Sequence, residues 1–149
     1  HGGCEGLPAT AFAVGRKVKV TVAEARGLIY SNLLATHPYC VVRLGTQMRQ
    51  TRTIQNSLKP KWNETLTFTV ADSSATTLFF TVHDSTDGAD EDAILGQCAH
   101  NVGGLALRHS DEAMLTLLPD VNASFFALRD RGRLTVKVEV VDADAGRPA

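Results

Sequence analysis

The sequence predicts an all-β fold, seven or eight short strands in an antiparallel sandwich or barrel. Three observations lead there. The dominant hydrophobic period is two: Val18, Val20 and Val22 alternate with Lys17, Lys19 and Thr21, the pattern of a strand with one face in a core. The apolar runs are short and separated by turn formers, among them Gly45, NSLKP, DSSAT, DGADED, Gly103–Gly104 and RGR. No stretch carries a helical period for the length of an amphipathic helix.

Taken in order, residues 1–15 (HGGCEGLPATAFAVG) are small-residue and Gly/Pro-rich and read as an N-terminal tail or linker. The strands then expected are KVKVTV (17–22), YCVVRL (39–44), MRQTRTI (48–54), ETLTFTV (64–70), TLFFTVHD (77–84) and ILGQCAHNV (94–102). A weaker run, AMLTLL (113–118), takes FFAL (125–128) with it, and RLTVKVEVV (133–141) closes the series. One domain is expected over 16–142, with 143–149 as a C-terminal tail. Before the fourth run, Pro60 biases Lys59 towards extended geometry. Trp62 offers a large apolar face with a single N–H donor, suited to the end of a core. Asn63 is a turn residue, so PKWNE reads as a structural corner.

Bulk properties exclude several classes. A chain of 149 residues suits one domain, and 44% hydrophobic with 21% charged residues is ordinary for a globular fold. The formal net charge of −1 gives no general attraction to nucleic acid. No apolar run approaches the ~20 residues that span a bilayer, and no signal peptide is visible. Cys4, Cys40 and Cys98 have unrelated spacings, which argues for free thiols in a reducing, cytoplasmic setting rather than disulfides or zinc. No GxSxG, HExxH or glycine-rich phosphate loop occurs, and Cys98 with His100 is a poor catalytic pair, so neither catalysis nor a small-molecule substrate is expected.

The most chemically pointed segment is HDSTDGADED (83–92), with five carboxylates between Asp84 and Asp92 around Gly88. Such a cluster repels itself unless it holds a cation or is fully solvated.

VAEARGL, THPYCVVRLG and QTRTIQNSLKPKWNETLTFTV together resemble the C2 domain family. The matching positions are Ala25, Leu28, Pro38, Tyr39, Thr51, Thr53, Pro60, Trp62, Asn63, Glu64 and Phe68, with Asp84 and Gly96 further on. The resemblance covers roughly residues 16–142 and implies an eight-stranded antiparallel β-sandwich. Because KVKVTV opens the domain and residues 1–15 make a poor strand, the family's second topology is favoured, with that strand first.

In the family, calcium is held by aspartates of two loops at one end of the sandwich. Here the first loop has His37 before Pro38, and Ser31 or Asn32 at the midway position. The third loop keeps Asp84, but Thr86 and Ala93 stand at the other two positions, with Asp92 one step before the last. Asp84, Asp92 and Asp90 are therefore expected to form a weak or vestigial calcium site, at or beyond the ~10⁻⁴–10⁻³ M end of the range, and no cofactor is required. His37 is a candidate loop switch: an imidazole pointing into the acidic cluster would have its pKa raised. It has equal standing as a partly exposed loop residue with no role.

For lipid or partner binding the candidates are Ile29, Tyr30, Leu33 and Leu34 in the first loop, and Tyr39, Arg49, Arg52, Lys59 and Lys61 around the third and fourth runs. Of the family's headgroup-binding pattern Tyr39 and Arg52 match, while Val41 and Gln50 stand where lysine is usual. The expected function is a non-catalytic targeting module of a larger intracellular protein, peripheral at membranes or cytoskeleton. It would bind anionic phospholipid without calcium or with weak calcium dependence. The alternatives are a protein–protein scaffold without lipid or calcium binding, and calcium-dependent lipid binding through the acidic third loop.

Overall fold

The computed structural model describes residues 12–29, 35–85, 92–119 and 131–142. They form eight strands: β1 Lys17–Arg26, β2 Pro38–Leu44, β3 Gln47–Gln50, β4 Lys61–Thr69, β5 Thr77–Asp84, β6 Ala93–Asn101, β7 Ser110–Thr116 and β8 Arg133–Val141. Two four-stranded sheets result, ordered β4-β1-β8-β7 and β3-β2-β5-β6, with every pairing antiparallel. Period-two patterning sorts the side chains. Val18, Val20 and Val22 of β1 and Leu134, Val136, Val138 and Val140 of β8 face Cys40, Val42, Leu78, Phe80 and Val82 of the other sheet, all essentially without exposure. Burying each contributes roughly 1.5–3 kcal/mol for the larger aliphatic and aromatic side chains. Cys40 lies among them, and burial pushes its thiol far above the usual range.

Among the described strands KVKVTV comes first and β8 runs between β1 and β7, the second topology expected from the sequence. Three details differ from expectation. β3 ends at Gln50, because the Thr51 hydroxyl accepts the Cys40 N–H at 2.9 Å and the chain leaves the ladder there. β7 begins at Ser110, where an edge strand with every second residue exposed gives little apolar signal. Phe12, assigned to the tail, is buried in the core, and the Gly15 N–H donates to Val70 O at 2.9 Å. An aromatic side chain next to an uncovered sandwich end is too costly to leave in water. FFAL lies outside the described residues.

The PKWNE corner is a bulge inside β4. Between two rungs β1 advances from Val22 to Glu24 while β4 goes from Glu64 back to Lys61, one residue more. Asn63 takes up the excess at φ 48°, a left-handed conformation that asparagine tolerates. Trp62 is thereby turned into the core, its indole N–H donating to Pro38 O at 3.3 Å. Residues 27–29, 35–37, 51–60, 85 and 92 lie at that end of the sandwich.

Candidate functional site

Residues 36–38 are the hub of this end. The Ser57 N–H donates to Thr36 O at 2.9 Å, Ser85 N–H to His37 O at 2.9 Å and Ile54 N–H to Pro38 O at 3.0 Å. Asp84 ends β5 on the core side with no exposure, and its Oδ1 accepts the His37 backbone N–H at 2.8 Å. A buried carboxylate needs such donors. Position 37 thus meets the acid through its main chain, where the sequence had suggested its ring. The His37 ring Nδ1 accepts the Asn56 N–H at 2.8 Å, an arrangement in which that nitrogen carries no proton. Asn56 supplies this donor from a left-handed φ of 50°.

Asp92 is tied on the opposite face of the same sheet. The Tyr39 hydroxyl donates to its Oδ2 at 2.6 Å. Tyr39 and His83, register partners of β2 and β5, stack with centroids 5.2 Å apart and planes at 18°. Burial, then the Asp92 carboxylate, pushes the Tyr39 phenol up to about 12. Burial also holds His83 below its usual value, against the opposing effect of Asp92. His83 and Asp84 point to opposite faces, as neighbours on a strand must.

Calcium takes six to eight oxygens. Among the described residues no group of three or more His, Cys, Asp or Glu side chains is placed to hold a metal. Asp84 and Asp92 accept protein donors on different faces, and a histidine fills the first-loop position. Asp90 lies outside the described residues.

Of the apolar first-loop candidates Ile29 is half-buried, while Tyr30, Leu33 and Leu34 lie outside the described residues. The expected basic patch does not converge. The Arg49 guanidinium lies 5.5 Å from the Phe68 ring centroid. Arg52 Nη1 is 3.2 Å from Glu64 Oε2, which also accepts the Arg52 N–H at 2.8 Å. Arg43 stacks 4.4 Å over Phe79. On the solvent face of β2–β3, Val41 opposes Gln50.

Lys61 instead opens β4 of the other sheet, and Lys59 lies two residues before it. With Glu24, Arg26 and Gly27 they line an open groove of about 380 Å³. Arg26 faces Arg133 across β1–β8. Neither arginine stood out in the sequence, because only the pairing of β1 with the last strand brings them together. His100 Nε2 and Asp111 Oδ2, 2.6 Å apart, pin β6 to β7.

The C2 domain family model matches residues 16–117. Protein C2-DOMAIN ABA-RELATED 11 of Arabidopsis thaliana is 38% identical over 58 residues, 39% of this chain and 35% of that protein. GTPase activating protein 1 of Oryza sativa subsp. indica is 38% identical over 55 residues, 37% of this chain and 33% of that protein. Intersectin-1 of Mus musculus is 39% identical over 62 residues, 42% of this chain and 4% of that protein. The matches thus span about a third or less of these relatives' lengths. Among solved structures, a C2 domain of plant Extended Synaptotagmin 1 superposes with TM-score 0.75 at 22% identity, covering 87% of this chain and 97% of that one. Human GIVD cytosolic phospholipase A2 does so with TM-score 0.70 at 19% identity, covering 90% of this chain and 18% of that one. At these identities the likeness is one of fold.

Proposed function

This chain belongs to the C2 domain family, and from that premise we propose that it is a non-catalytic targeting module that attaches to anionic phospholipid without requiring calcium. Domains of this family bind phospholipid membranes or proteins, and no described helix is long and apolar enough to cross a membrane. The observation that carries the calcium-independent reading is the engagement of Asp84 and Asp92. Asp84 is bonded to the His37 main chain and Asp92 to Tyr39, so the third loop's two described carboxylates are held by protein donors. A module whose loop acids are already engaged gains little from a divalent ion, and its affinity for anionic lipid then rests on cations, about 1 kcal/mol each near the surface. Its place would be the cytoplasmic side of a membrane, as part of a larger protein.

Co-sedimentation with phosphatidylcholine vesicles, with and without phosphatidylserine, in calcium or in chelator, tests the reading. Pelleting that requires phosphatidylserine and is equal in both conditions is the expected result. Pelleting only with calcium would overturn it. Failure to pellet in any arm would favour protein docking. For that second reading Met48 and Phe79, 59% and 41% exposed, present apolar surface on the β3-β2-β5-β6 sheet.

A further inference from the structure

We infer that the groove bounded by Arg26, Lys59 and Lys61 receives the phosphate of an anionic lipid headgroup, so that the loop end of the β4-β1-β8 sheet, and not the β2–β3 face, meets the membrane. This rests on the lipid-binding reading and names the surface that carries it out.

The charges are arranged for an anion. On the solvent face, Arg26 of β1 lies directly opposite Arg133 of β8. Like charges at opposed positions destabilise a sheet, and a nearby anion offsets that repulsion, a part Glu24 plays for Arg26. Lys61 is paired with Glu24 in the β1–β4 register, and Lys59 lines the same groove. Arg26, Lys59 and Lys61 thus line the groove with Glu24, the one carboxylate among its described lining residues, and Arg133 stands beside Arg26 on the next strand. Glu24 is itself engaged by Arg26, with Nε to Oε2 at 3.0 Å and Nη2 to Oε1 at 3.5 Å. That contact, helped by the nearby Lys61 charge, holds the Glu24 carboxyl below its usual range, and it sets the direction of the Arg26 fork. Arg26 remains 68% exposed in its side chain, and Lys59 and Lys61 are exposed. Guanidinium and ammonium donors around an open groove suit a phosphate, which accepts from both.

The walls are fixed by backbone. The Ala25 N–H donates to Pro60 O at 3.0 Å and the Leu28 N–H to Leu58 O at 3.3 Å, extending the β1–β4 pairing past Lys59. On the other side the chain at Gly132 passes so close that a Cβ there would lie 2.2 Å from the Arg26 carbonyl oxygen. The backbone that carries the lysines and arginine is therefore held in place before any ligand arrives, which lowers the ordering cost of binding. Ile29 follows Arg26 by three residues at the same end, bringing apolar surface beside the charges. On the competing face Arg43, Arg49 and Arg52 are each engaged with Phe79, Phe68 and Glu64.

The experiment is vesicle flotation of the intact chain on phosphatidylcholine vesicles containing phosphatidylserine. It compares wild type with K59E/K61E, R26Q and R49E/R52E, each first shown to be folded by the buried emission of Trp62. K59E/K61E should lower partitioning by on the order of tenfold or more, R26Q by about threefold, and R49E/R52E by less than about twofold. The reverse ranking, with wild type bound, overturns this inference while leaving the lipid-binding function standing. No binding by wild type overturns both. A further arm adds inorganic phosphate to wild type and follows backbone amide shifts without vesicles. Saturable shifts at Lys59 and Lys61, without vesicle binding, would assign the groove to a soluble phosphate and overturn the membrane assignment. Shifts lost in K59E/K61E, together with vesicle binding, would support it.

Discussion

Tyr39, His83 and Asp84 make the loop end's chemistry measurable. The Tyr39 phenol is raised from an unfolded value near 10 to about 12 by burial and by Asp92. The folded state therefore holds that proton more tightly, so the associated stability is fully present below about pH 10 and is lost as pH rises through about 12. In an ultraviolet titration one of the chain's two tyrosines should ionise late, and Tyr39→Phe should abolish that late step. His83 shifts the other way. Kept neutral by burial, it contributes stability above an unfolded pKa near 6.5 that is lost as pH falls through its lower native value. Proton NMR should show its ring titrating below an ordinary histidine; a midpoint at or above 6.5 would contradict the burial argument. Asp84→Ala removes the buried acceptor of the part-buried His37 N–H and should cost about 2 kcal/mol in urea unfolding, equally in calcium and in chelator. A loss seen only with calcium present would mark Asp84 as a metal ligand.

At the level of the strands, sequence period and structure agree wherever one face is buried. The valines of β1 and β8 announce themselves because alternation of apolar and polar residues is local. The ends of elements were less legible. β3 stops early because a side-chain hydroxyl, Thr51, replaces a ladder partner, and β4 carries a bulge because Asn63 accepts a positive φ. The β1–β8 junction gives the sharpest test of an element. Gly132 has φ 110°, and an added Cβ would collide with the Arg26 carbonyl oxygen. Gly132→Ala should therefore destabilise by at least about 2 kcal/mol, since both strain and displacement of β8 are required. A near-neutral effect would mean that the two strands have room to part.

For the molecule as a whole, charge decides more than total charge suggests. The net charge is −1, yet Arg26, Lys59 and Lys61 collect around one groove. Binding to anionic vesicles should therefore weaken steeply as salt rises from about 0.05 M to about 0.5 M, because exposed charges are screened over the Debye length. Binding indifferent to salt would point to apolar insertion instead. The sequence by itself determined the fold: period-two runs, turn formers and the PxWNE corner are local signals, and each acts where it is written. It also showed that His37 stands in place of an acid. Only the tertiary structure decided that His37 meets Asp84 through its main chain and that Asp92 answers to Tyr39. Likewise only the sheet register joins Lys59 and Lys61 with Arg26 and Arg133 rather than with Arg49 and Arg52. Those partners come from strands far apart in the chain, and their meeting depends on which edges pair, a property that no local pattern of residues records.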